Sequence, residues 1–186
     1  MEVAVKPYPI SVQMYHVMAE HGAFAPDERV ELFDGEIIEM SPIGKRHARV
    51  VDFLTRFLVL FVKDVFIVRV QNPIILSDLS EPQPDISVVR FREDFYKDSL
   101  PAAADVSLII EVSDVSVEFD RSKKFPKYAA AGIPEAWLIN LEAERVEVHS
   151  NAKETTYGMV KIYQRGENVL SETMPNLELS VDSILG

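Results

Sequence analysis

The order of helical and strand-like segments constrains the fold of this chain more than any other feature of its sequence. Apolar side chains between residues 46 and 63 recur at i, i+3, i+4 and i+7, which predicts an amphipathic helix. A second helix is predicted at 121–131, where Gly132 and Pro134 end it. Short apolar runs predict strands at 65–76 (interrupted by Pro73), 86–91, 108–113, 136–141, 145–150 and 159–164. Helices between apolar strands indicate an α/β fold with a central mixed β-sheet flanked by helices.

Local turn signals add three smaller elements. Asp34-Gly35 separates two strand-like runs between residues 30 and 40, and this dipeptide favours a type I′ hairpin because both central positions need a positive φ. Ser11 begins a predicted short helix at 11–21, and a further short helix is predicted at 180–185.

Length and composition limit the class of protein. The 186 residues fit one domain, 1–186, and we find no repeat or flexible linker that would divide it. The longest apolar run, 57–62, is too short to cross a bilayer, and residues 1–10 lack the pattern of a signal peptide. Because the chain has no cysteine, thiolate zinc sites and disulfides are excluded, and a cytoplasmic location is expected.

Two acidic residues stand at or within apolar strands. Asp85 precedes the strand at 86–91, and Glu111 lies inside the strand at 108–113. A carboxylate at such a position is unfavourable unless it is paired or bound to a metal, so each acid alone is compatible with a structural ion pair. Together on neighbouring strands, they could bind one divalent cation that prefers oxygen ligands, such as Mg²⁺ or Mn²⁺.

A wider set of motifs resembles a known family. Pro84-Asp85 is followed by Glu111-Val112-Ser113 and by Asp120-Arg121-Ser122-Lys123-Lys124, in the order seen in restriction endonucleases of the Uma type. The resemblance covers most of residues 28–140 and includes Glu31, His47 and the segment 128–135. It implies membership of the PD-(D/E)XK superfamily, a restriction-endonuclease-like core, and a Mg²⁺-dependent endonuclease that hydrolyses phosphodiester bonds in DNA. Asp85 and Glu111 would be the metal ligands.

The sequence departs from the common superfamily pattern in one position. The residue two after the glutamate is usually lysine, whereas here it is Ser113. The resembling family is similar in this respect and takes the lysine from the next helix, which implies a catalytic role for Lys124. Helical spacing places Lys124 beside the inward face and Lys123 almost opposite. Replacing Lys124 by alanine should then remove most of the turnover, with little change in metal binding or melting temperature.

Two further residues are candidates for the site. His47 begins the inward-facing stripe of its helix, so it is either a hydrogen-bonded core histidine or part of the catalytic site. Glu31 lies in the predicted hairpin, and the family resemblance implies a position near the metal.

The distribution of charge bears on the partner. The formal net charge is −11, so non-specific coating of nucleic acid is not expected. Seven of the 19 basic residues lie in the two segments expected to border the site, which favours binding of a substrate phosphate: Lys45, Arg46, Arg49, Arg121, Lys123, Lys124 and Lys127.

Three functions remain open from the sequence. The first is the DNA endonuclease, and the second is a catalytically inactive nucleic-acid-binding or dimerising module with the same fold, which Ser113 and the net acidity favour. The third is hydrolysis of a small phosphate ester. A homodimer is expected because one of the short strands after residue 136 should form an exposed edge.

Overall fold

A six-stranded sheet forms the centre of the protein in a computed structural model that describes residues 7–186. Residues 1–6 lie outside the described residues. They make up most of segment 1–10, for which the sequence predicts no signal peptide. In chain order the elements are α1 (Val12–Glu20), β1 (Val30–Phe33), β2 (Glu36–Glu39), α2 (Lys45–Val62), β3 (Phe66–Val70), β4 (Ile86–Arg90), β5 (Val106–Ser113), α3 (Val117–Phe119), a π-helical turn (Asp120–Lys124), α4 (Phe125–Ala130), β6 (Glu135–Asn140), β7 (Arg145–Lys153), β8 (Thr156–Gln164), β9 (Asn168–Leu170), β10 (Glu178–Ser180) and α5 (Val181–Leu185).

The strand order of the sheet is β3-β4-β5-β6-β7-β8, the same as the order along the chain. Neighbouring strands are antiparallel except for β5 and β6, which are parallel. A parallel pair needs a crossover connection, and the helical segment from α3 to α4 provides it. The predicted mixed sheet flanked by helices is therefore confirmed.

The two faces of the sheet bury different residues of β5. Leu108, Ile110 and Val112 join the larger core, which includes α2 and α5. Ile109 packs on the opposite face against Phe125 and Tyr128 of the crossover segment. Because side chains alternate along a strand, Glu111 shares the crossover face with Ile109. The alternation thus turns this carboxylate towards α4.

The Asp34-Gly35 turn has the geometry that the sequence predicts. Both residues have positive φ, 52° at Asp34 and 78° at Gly35, and they connect β1 to β2. Contacts on both sides hold the turn, because Ile10 donates a backbone hydrogen bond to Gly35 O and the Gly35 N–H donates to Leu79 O. This hairpin carries Glu31 on β1, with its side chain buried.

Two predicted elements differ from the structure. The strand expected at 65–76 ends at Val70 because Gln71 has a φ of 49° and turns the chain out of the sheet. The helix expected at 121–131 begins earlier, at Val117, and contains the π-helical turn in which the Phe125 N–H donates to Asp120 O. The short pair β9–β10 was not predicted.

Candidate active site

Asp85 and Glu111 lie side by side where β4 begins next to β5. Ile86 of β4 pairs with Ile110 of β5, and the two strands are antiparallel. Asp85, directly before Ile86, is therefore next to Glu111, directly after Ile110. The Asp85 N–H donates to Glu111 Oε2 at 3.4 Å, and the Val112 N–H donates to Asp85 Oδ2 at 2.9 Å. Both side chains are buried. The predicted approach of the two acids is therefore present in the structure.

Each of these two carboxylates has one oxygen firmly held and one held only weakly. Glu111 Oε1 accepts from the Tyr128 hydroxyl at 2.5 Å and from Lys124 Nζ at 3.4 Å. Asp85 Oδ2 accepts from Val112 N and pairs with His47 Nε2 at 3.0 Å. The remaining oxygens, Glu111 Oε2 and Asp85 Oδ1, accept long hydrogen bonds of 3.4 and 3.3 Å from Asp85 N and Gln71 Nε2. These two oxygens are the ones available to a cation.

Lys124 brings a positive charge into the cluster from the π-helical turn. Its Nζ lies 3.1 Å from Glu31 Oε1 and 4.0 Å from Asp120 Oδ1, in addition to the contact with Glu111. The side chain is only 6% exposed, whereas Lys123 is exposed to solvent. The structure thus places the two lysines on the sides that helical spacing predicts.

Glu31 and His47 line the same cavity as the paired acids. Glu31 holds Lys124 through Oε1 and accepts from the Gln83 N–H through Oε2 at 3.0 Å. His47 reaches Asp85 through Nε2, while its buried Nδ1 has no hydrogen-bond partner among residues 7–186. His47 is therefore not the core histidine bonded to backbone that was the alternative.

Three side chains of the cluster were not predicted as site residues: Tyr128, Asp120 and Gln71. The Ser113 hydroxyl donates to Asp120 Oδ2, as does the Ser116 hydroxyl at 2.8 Å, so Asp120 occupies the space next to the usual lysine slot. Asp120, Lys124 and Tyr128 are spaced by four residues, which is the sequence signal that could have identified them together. Gln71 has no comparable signal, because its position depends on the turn after β3.

Negative charge exceeds positive charge in this buried cluster. Burial raises the pKa of Glu111 to about 8, Lys124 opposes the rise, and Asp120 and Asp85 add to it. Burial also raises the pKa of Asp120, against the effect of Lys124. For Lys124, burial lowers the pKa, but Glu111, Glu31 and Asp120 outweigh it and raise the pKa overall. A second positive charge at the cluster would favour ionised carboxylates.

The cavity at the site has a volume of about 490 Å³ and is open to solvent on one side. Its acidic lining residues are Glu31, Glu39, Asp85, Glu111, Asp114 and Asp120, against the basic residues Arg29, His47 and Lys124. The cavity is therefore acidic.

The predicted concentration of positive charge around the site is wrong for most of the seven residues. Arg46 pairs with Glu144, Arg121 with Glu147, and Lys127 with Asp34. Arg49 donates to the carbonyl oxygens of Ser183 and Ile184, and Lys124 is buried with acids. Lys45, Arg49 and Lys123 make no ion pair in the described part of the chain. The sequence shows where cations lie along the chain but not which acids fold against them.

The ligand atoms of the site suit a hard cation. Within residues 7–186 no group of three or more histidine, cysteine, aspartate or glutamate side chains is arranged to hold a metal ion. Two carboxylates alone would bind it, and water or substrate would complete its shell, as Mg²⁺ commonly requires. Asp85 Oδ1 and Glu111 Oε2, which accept only long hydrogen bonds, are the oxygens that could hold such a cation.

Among the described residues, no helix is both long enough and apolar enough to span a bilayer.

The fold of the chain matches that of a solved protein. A crystal structure described as a putative nuclease belonging to DUF820 from Anabaena variabilis superposes with a TM-score of 0.74, at 15% identity, over 95% of this chain and 98% of that one. At this identity the likeness establishes the fold. No curated protein matches the chain.

The sequence family is shown directly. Residues 12–182 match the Uma2 family, described as "Putative restriction endonuclease". The chain belongs to this family, and membership supports a nuclease. The resemblance found in the sequence is confirmed over a longer segment than the motifs covered.

Proposed function

We propose that the protein is a Mg²⁺- or Mn²⁺-dependent endonuclease that hydrolyses phosphodiester bonds in DNA. The observation that carries the proposal is the pair of weakly held oxygens, Asp85 Oδ1 and Glu111 Oε2, on adjacent strands at the base of an open cavity. These two oxygens would hold the cation, which when bound would supply polarisation of a phosphoryl oxygen and a lowered pKa for water.

The neighbouring side chains have separate roles in this proposal. His47 and the Val112 N–H fix Asp85, and Tyr128 fixes Glu111, so that the free oxygens keep their direction. Lys124 would stabilise the negative charge that develops on the phosphoryl oxygens, and Glu31 holds the ammonium group in place. These roles explain why Ser113 can replace the usual lysine.

Cleavage assays on supercoiled, linear and single-stranded DNA test the proposal. We expect nicking or cutting with Mg²⁺ or Mn²⁺, none with EDTA, and none with Asp85→Ala at matched concentration. Asp114→Ala, which removes an exposed acid at the cavity rim, is the control and should retain activity. A folded wild type that cleaves none of these substrates would instead support the inactive binding module.

A further inference from the structure

Strand β8 is an edge of the sheet that buries almost none of its surface. Seven of its nine residues are exposed, and within residues 7–186 it pairs with β7 alone. At the other edge, all five residues of β3 are half-buried. Long exposed edges tend to pair with another chain unless they are covered or blocked. β8 is therefore the more exposed of the two edges.

The exposed side chains of β8 are apolar on both faces of the sheet. Ile162 and Val160 lie opposite Glu147 and His149 of β7, and Met159 lies opposite Ser150, so Met159 is on the other face. Their exposed fractions are 50%, 49% and 40%. A partner that continues the sheet would cover both faces, whereas a helix packed on one face would not.

The charge of the strand favours a second copy of the same chain. Two molecules with a net charge of −11 repel each other, yet residues 156–164 contain no acidic residue. The one charged side chain of the strand, Lys161, is bonded to Glu172 of its own chain. Because β8 carries no acidic side chain, two copies of this edge can approach where other surfaces of the two molecules would repel.

We propose that β8 pairs antiparallel with β8 of a second copy, so that the two six-stranded sheets form one continuous sheet. A two-fold axis perpendicular to the sheet places one residue opposite its own copy. Val160 is the middle residue of β8, so an axis at Val160 pairs the full strand. With the axis at Val160, Lys161 of each copy lies opposite Met159 of the other, and the two lysines stay apart. An axis at Lys161 would oppose like charges.

The proposed interface is separate from the candidate active site. β6 and β7 lie between β5, which carries Glu111, and β8. No residue of the second copy would reach the paired acids, so loss of the dimer should leave the cleavage rate per chain unchanged. The proposed dimer can therefore be tested independently of the proposed nuclease function.

Light scattering after size-exclusion chromatography measures the molar mass in solution. Matched variants in β8 and outside it test whether β8 forms the interface. The wild type should elute as a dimer with micromolar affinity, since an edge pairing buries little area. Val160→Asp would oppose two carboxylates at the axis and should give a monomer with an unchanged melting temperature. Val65→Asp, at a valine that is 66% exposed outside β8, should remain dimeric. A monomeric wild type, or a dimer that persists in Val160→Asp, would overturn the proposal.

Disulfide cross-linking tests the register, because the chain has no cysteine of its own. Directly opposite residues of antiparallel strands have Cα atoms about 4.5–5.5 Å apart, which a disulfide can span. Oxidised Val160→Cys should form a covalent dimer, and Val65→Cys should not. If both variants cross-link at the same rate, the contact is random collision and the proposed register is wrong.

Discussion

The buried ammonium group of Lys124 supports the fold as well as the proposed chemistry. It lies against Glu31, Glu111 and Asp120, so the charge that would assist catalysis in the proposed mechanism also compensates these buried acids. Removing one partner of a buried ion pair leaves an uncompensated charge. The sequence suggested a lysine that flanks the site and could be removed without effect on stability. Its burial leads to a different expectation.

Lys124→Ala should lose most of the cleavage activity and also destabilise the protein by about 3–5 kcal/mol, because Glu31 and Glu111 lose their counter-ion. Urea unfolding measures the second effect. Lys123→Ala is the matched control, and it should change neither activity nor the free energy of unfolding, since Lys123 is exposed. An unfolding free energy of Lys124→Ala equal to that of the wild type would show that the ammonium group does not stabilise the acids.

Glu147 is the residue whose charge should govern acid stability on the sheet. Its burial opposes ionisation, but His149 at 3.6 Å and the hydrogen bonds from Arg121 and Arg145 outweigh that effect and lower the pKa to about 2. A lowered pKa stabilises the fold above the unfolded value of about 4.3, and this contribution disappears as the pH falls towards 2. The two arginines are partly exposed, so we expect about 2 kcal/mol.

The measurement compares the wild type with Glu147→Gln between pH 7 and pH 2.5 by urea unfolding. The wild type should lose its advantage over the variant as the pH falls through this window. Parallel pH curves for the two proteins would show that Glu147 is not the group responsible.

At the scale of elements, the β1–β2 hairpin connects a local sequence signal to the site. Gly35 needs its positive φ, and an added Cβ would lie 2.7 Å from Pro9 Cβ. Gly166 also has a positive φ, 86°, but has nothing within 4 Å of such a Cβ. A comparison of substitutions at the two glycines therefore distinguishes the cost of backbone strain from the cost of steric contact.

Gly166→Ala should cost about 1 kcal/mol from strain alone, and Gly35→Ala about 2–4 kcal/mol because the contact with Pro9 adds to the strain. Chemical denaturation gives both values. Gly35→Ala should also reduce cleavage, since the hairpin carries Glu31. Equal losses in the two variants would mean that residues 9–10 yield without cost.

Elements set by local pattern could be predicted, and elements set by distant contacts could not. The apolar stripe of α2 and the Asp34-Gly35 turn contain their own signals, so both were predicted to within a residue or two. The early end of β3 depends on Gln71, whose backbone N–H donates to Asp85 O. The π-helical turn follows from packing of Asp120 and Lys124 into the site, which no local pattern records. The partners of the basic side chains are likewise tertiary.

For the whole molecule, the charge distribution predicts how the proposed DNA substrate would be bound. The net charge is −11, the cavity is acidic, and most nearby cations are paired with acids of the same chain. Affinity from release of counter-ions should therefore be small. Substrate affinity would depend on the divalent cation instead.

Fluorescence anisotropy of labelled DNA tests this expectation by measuring DNA affinity for the wild type and for Asp85→Asn. Each protein is measured in Ca²⁺, which takes oxygen ligands, and in EDTA. The wild type should bind more tightly with Ca²⁺, and Asp85→Asn should show no such gain. Tight DNA binding in EDTA that weakens steeply with salt would contradict this expectation, because such behaviour requires many unpaired basic side chains.

Electron paramagnetic resonance of bound Mn²⁺ tests whether Asp85 and Glu111 share one divalent cation, as proposed. We expect one bound Mn²⁺ per wild-type chain and loss of that site in both Asp85→Asn and Glu111→Gln, each of which keeps the size of the side chain it replaces. Asp114→Asn should bind as the wild type does. Mn²⁺ bound with equal affinity and stoichiometry by wild type, Asp85→Asn and Glu111→Gln would contradict the account.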